Sequence, residues 1–204
     1  MELFKNKKIN KLRYLLFISI LLIIFNICCT KSKNASHFGN QNTYWGDVTL
    51  SEKNYYNNLV NGDMYSILKK QNNEYRKFYS KFNEDEINLN NSTSIKIIRE
   101  ELSDTNQLKI NLYSFNKNKK TDSIRFYRNI SGNGYGEYNC LSFFDKKNNK
   151  IWQINYFPSD FDKSVNIISY SQSSIKPDGT IKKDSLHYLD ESLDVVMQDN
   201  NLYY

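Results

Sequence analysis

The sequence predicts an α+β domain: N-terminal helices packed on one face of a roughly six- to seven-stranded antiparallel meander sheet. Two observations predict it. Apolar residues recur every three or four positions between Ser51 and Phe82, and from Ser94 onward they alternate instead. Polar turns separate the alternating runs at intervals too short for helical crossovers, so neighbouring strands run antiparallel.

Tyr56, Leu59, Val60, Met64, Ile67, Leu68, Tyr75, Phe78 and Phe82 fall on one helical stripe. Gly62 interrupts it and Asp63 can cap a second helix, which predicts a short helix over Ser51–Val60 and a longer one over Asp63–Phe82. Strands are predicted over Ser94–Leu102, Gln107–Phe115, Ser123–Ile130, Tyr135–Asp145, Lys150–Phe157, Ser164–Ile175 and Ile181–Leu189. Lys146-Lys147-Asn148-Asn149 and Lys176-Pro177-Asp178-Gly179 read as turns, the second because Pro presets φ and Gly accepts a positive one. The tail, 190–204, fits either a short helix or an edge strand.

The N-terminus has its own organisation. Residues 1–28 carry Lys5, Lys7, Lys8, Lys11 and Arg13 against Glu2, a net +4, while the remaining 23 basic and 21 acidic residues leave only +2. A phosphate-backbone binder needs a basic face well beyond that, so nucleic acid is not an expected partner. Behind the charges, Tyr14–Ile27 is almost wholly apolar, short of the about 20 residues that span a bilayer and typical of a secretory signal peptide. Cys28 and Cys29 end the run. This arrangement resembles the lipobox of bacterial lipoproteins, in which the Cys after the apolar run becomes the lipidated first residue. The resemblance covers the first 30 or so residues. It implies a signal peptide over 1–28, lipid on Cys29 (small residue at the cleavage position) or alternatively on Cys28, and attachment to a membrane. Residues 29–43 read as a polar tether and 44–204 as one domain. The tether has no acidic run after the Cys, and in some Gram-negative lipoproteins such a run marks surface export. A position facing the periplasm is therefore expected.

Chemistry is sparse. Cys140 lies alone on a probable central strand and reads as a small buried hydrophobe. His37 and His187 are far apart, and no Cys/His spacing or calcium loop is present, so neither metal nor cofactor is expected. Ser131-Gly132-Asn133-Gly134-Tyr135-Gly136 lacks the Lys-Ser/Thr of a phosphate loop and reads as a hairpin turn. No catalytic residues are assigned. Tyr127, Tyr138, Trp152 and Tyr156 are the candidate binding face, since rigid aromatic rings on a sheet stack on sugars or dock proteins at low entropic cost. The expected function is a non-catalytic binding or accessory domain whose partner is an envelope protein or glycan. One alternative is an immunity or inhibitor lipoprotein against a toxin or hydrolase. The other is a small envelope hydrolase using Glu137, Asp184, Asp190, Glu191 or Asp194.

Overall fold

The computed structural model describes residues 44–100, 102, 107–130, 138–188, 195 and 199, all within one compact unit, His37–Tyr204. The class is α+β and mostly antiparallel sheet. Two helices, α1 (Tyr55–Val60) and α2 (Met64–Tyr79), precede most of the strands. Among the described residues nine strands are present: β1 (Tyr44–Trp45), β2 (Glu84–Asn88), β3 (Thr93–Glu100), β4 (Leu108–Asn116), β5 (Lys119–Asn129), β6 (Asn139–Asp145), β7 (Lys150–Ser159), β8 (Ser164–Ile175) and β9 (Ile181–Tyr188). β2 to β9 follow one another in space as in sequence, and β1 pairs with β6 off that path. The meander is thus longer than the six to seven strands expected.

Local chemistry explains most boundaries. Asp63 caps α2, its carboxylate accepting from Ser66 N at 3.0 Å. The helix ends at Tyr79 rather than Phe82. Phe82 stays on the stripe because a turn, Phe82 N to Tyr79 O at 3.1 Å, keeps its ring against Phe78 and Tyr79. The apolar spacing therefore outlasts the helix. Val48–Ser51 forms a single 3-10 turn capped by Asp47, so α1 begins later than Ser51. β2 carries three acidic residues and buries only Ile87, as suits an edge strand kept from pairing further. In the β4–β5 hairpin Lys117 and Asn118 both adopt positive φ, 49° and 65°, the twist a two-residue turn needs. The Pro177-Asp178-Gly179 turn forms as expected, with Gly179 at φ +88° and its N–H 2.9 Å from Lys176 O.

The main core is fed by both element types: Leu59, Leu68, Tyr75 and Tyr79 from the helices meet Ile95, Ile97, Ile110, Leu112, Tyr127 and Ile154 from the strands. One seam breaks the regularity of the sheet. β5 and β6 share a single registered pair, Arg128 with Cys140, whereas β6 and β7 share seven. Beyond that pair side chains replace the ladder. Gln153 Nε2 donates to Arg125 O at 2.6 Å, and Tyr75 Oη donates to Ser142 O at 2.7 Å while accepting from Asp47 N at 2.8 Å. β1 joins the far end of β6, pairing Tyr44 with Asp145 and Trp45 with Phe144. Trp45, 2% exposed, packs on Phe126 and Phe144 and donates from Nε1 to Asp85 at 2.8 Å. Buried backbone polar groups must find partners, and here the seam finds them in a glutamine and a tyrosine.

Candidate functional site

The four aromatics chosen from sequence do not form an exposed face. Tyr127, Tyr138 and Tyr156 are buried, and Trp152 is half-buried with its ring 5.7 Å from Phe143. Alternation correctly separates two faces, but β6 is buried at six consecutive positions and β7 at four, so both faces are covered there. Tyr138 belongs to a second, small cluster with Cys140 and Ile168, while Tyr127 and Tyr156 lie in the main core. Cys28 and Cys29 fall outside the described residues, as do Tyr135, Glu137, Asp190, Glu191 and Asp194.

What the strands and α2 build instead is an interior rich in tyrosine. Tyr75 and Tyr79, one helical turn apart, stack on Tyr127 with centroids 5.4 and 5.5 Å away. Tyr127 donates to Asn72 Oδ1 at 3.0 Å. Tyr55 donates to Gln71 Oε1 at 2.8 Å, and Gln71 Nε2 in turn reaches Asp47 Oδ2 at 3.1 Å and Thr49 Oγ1 at 3.0 Å. Burial raises the hydroxyl pKa of Tyr55, Tyr75, Tyr79, Tyr127, Tyr138 and Tyr156, because a phenolate loses its hydration there. These rings are protonated at any physiological pH and act as packing and hydrogen-bonding groups.

The adjacent pair on α2 makes a sharp test. Tyr75→Phe removes the acceptor of Asp47 N and the donor to Ser142 O, leaving two buried backbone groups unsatisfied. A loss of about 2–4 kcal/mol is expected in chemical denaturation. Tyr79 Oη has no hydrogen-bond partner among the described residues, so Tyr79→Phe is expected to be neutral or to stabilise by up to about 1 kcal/mol. Equal losses in the two variants would contradict this assignment of the hydrogen bonds.

Among the described residues the remaining reactive groups are quiet. Burial pushes the Cys140 thiol up to about 12, and its sulfur sits 3.5 Å from Arg125 O and 3.7 Å from Ser142 Oγ. It is a thiol at neutral pH, and a nucleophile needs the thiolate. His187 stacks on Tyr56 at 5.4 Å. Asp184 is exposed, and a hydrogen bond from Ser174 holds its carboxyl below the usual range, the opposite of what a general acid requires. Among the described residues no three His, Cys, Asp or Glu gather as metal donors would.

One surface feature lies outside the periodic pattern of the sequence. Phe161, at the β7–β8 turn, is 98% exposed, and no other Phe, Tyr or Trp whose side-chain burial is described is exposed. The turn beneath it is tied down. Asp160 accepts from Tyr65 Oη and, at 3.0 Å, from Lys69 Nζ. Lys163 Nζ donates to Asp160 O at 2.6 Å, and Asp162 Oδ1 accepts from Ser164 N at 3.2 Å and Oγ at 2.7 Å. Lys69 and Lys163 both stand over the Tyr65 ring, 5.0 and 5.4 Å from its centroid. The signal available in sequence was an aromatic between two aspartates in a strand-to-strand turn. No protein-family model, curated protein or solved structure matches this chain.

Proposed function

We propose that this chain is a lipid-anchored protein of the bacterial cell envelope, facing the periplasm, whose folded domain binds a partner and carries out no reaction. The observation that carries the reading is the order basic segment, apolar run Tyr14–Ile27, Cys28-Cys29, and then a domain whose first described strand begins at Tyr44. An apolar run of that length after a cationic start is what export machinery reads. The partner is an envelope protein or a glycan, with no cofactor involved. A helix layer closing one face of the sheet is part of the reading, supported by the stacking of Tyr75 and Tyr79 on Tyr127. Binding then falls to surfaces away from β6 and β7, where the aromatics are interior.

Intact mass of the protein taken from bacterial membranes tests the anchor. Diacylglycerol on Cys29, or on Cys28, is expected, together with accumulation of the precursor when globomycin blocks the lipoprotein signal peptidase. Recovery of the unprocessed, unacylated chain from the cytosol would overturn the proposal.

A further inference from the structure

We propose that the β7–β8 turn, led by Phe161, docks into the interfacial layer of the bilayer and sets the orientation of the domain there; this rests on the lipid anchor proposed above. A fully exposed aromatic ring is unfavourable in water, and nothing in the turn needs it. Asp160, Asp162, Lys163 and Ser164 satisfy one another and Tyr65 and Lys69, so the backbone of the turn holds its shape without the ring. A rigid turn presents Phe161 at little entropic cost on binding.

The surroundings fit a headgroup layer. Lys69 neutralises Asp160, and Lys69 and Lys163 flank Tyr65. Lysine stems lie along apolar surface while their ammonium ends stay among phosphates. Reach favours lipid over other occupants. Whatever path they take, the residues from Cys29 to Tyr44 extend at most ~50 Å. A domain of roughly 160 residues has a radius of gyration of ~15 Å. The acylated chain therefore keeps its surface beside the bilayer at high effective concentration, where even one aromatic contact biases orientation.

The test uses the full lipoprotein, with Cys140→Ala to remove the internal thiol, reconstituted in phosphatidylethanolamine–phosphatidylglycerol vesicles. A nitroxide is attached through Phe161→Cys or, as reference, through Asn148→Cys, an exposed position in the β6–β7 turn at the other end of β7. A several-fold drop in collision with a water-soluble nickel complex, and a rise with oxygen, is expected at 161 and not at 148. Acylated protein with both labels equally open to nickel overturns the docking and leaves the anchor standing. A chain found unacylated, with Cys28 and Cys29 replaced by Ser so that only position 161 takes the label, and still shielded there by vesicles sinks the anchor and leaves the docking. Shielding in native membranes that is absent from pure lipid vesicles assigns the tip to a protein pocket and overturns the lipid proposal.

Discussion

Raising the pH of the detergent-solubilised protein unfolds it cooperatively at about pH 11, with the buried tyrosines ionising in the same step. Tyr55, Tyr75, Tyr79, Tyr127, Tyr138 and Tyr156 are all 6% exposed or less, and burial raises the pKa of each. The unfolded chain titrates its tyrosines near pH 10. Above that value it holds fewer protons than the folded chain, so unfolding becomes easier with every increment of pH. The stabilisation is complete below pH 10 and is lost towards the folded values, of which that of Tyr138 is about 12. Each group loses about 1.4 kcal/mol per pH unit in that window. Six together remove about 8 kcal/mol by pH 11, comparable with the whole stability of an ordinary domain. Tyrosinate absorbance and far-ultraviolet circular dichroism followed on one sample should change together. Gradual titration of all tyrosines near pH 10 with the fold intact would show that these rings are open to solvent.

The same tyrosines mark where sequence reading stops. Helix α2 was legible because its information is local: a capping Asp63 and a stripe at three- and four-residue spacing. The turn at Pro177-Asp178-Gly179 was legible for the same reason. β2 was not, since Glu84, Asp85 and Glu86 carry none of the β-branched or aromatic character of a strand, and it pairs only because β3 offers an edge. The β5–β6 seam could not be read at all. It depends on Gln153 reaching Arg125 O, 28 positions away, and Tyr75 reaching Ser142 O, 67 away, and no local rule encodes those bonds. Alternation in β7 separated Tyr156 from Asn155 without telling whether the second face meets water. Phe161 sits outside any periodic run, so no spacing in the sequence marks it.

Gly46→Ala is expected to cost at least about 4 kcal/mol. Gly46 follows β1 at φ +91°, a conformation that side chains rarely adopt, and the strain alone is worth about 1–3 kcal/mol. Space adds more. A methyl there would lie 2.1 Å from Ser142 O, 2.9 Å from Tyr75 Oη and 3.1 Å from Phe143 Cα. Ser142 O belongs to β6, whose other side is paired with β7, so the strand cannot step back. The way out is for β1 to withdraw. That movement pulls Trp45 off Phe126 and Phe144, breaks its bond to Asp85, and strips the Tyr75 hydroxyl of Asp47 N. Trp45 emission should then shift to the red while Trp152, half-buried against Phe143, reports little change. Val48→Ala, two residues on and 37% exposed, is the matched control and should stay within about 0.5 kcal/mol. A Gly46→Ala protein with an unchanged denaturation midpoint would mean that β1 does not occupy the seam, since no arrangement with Trp45 seated leaves room for the methyl.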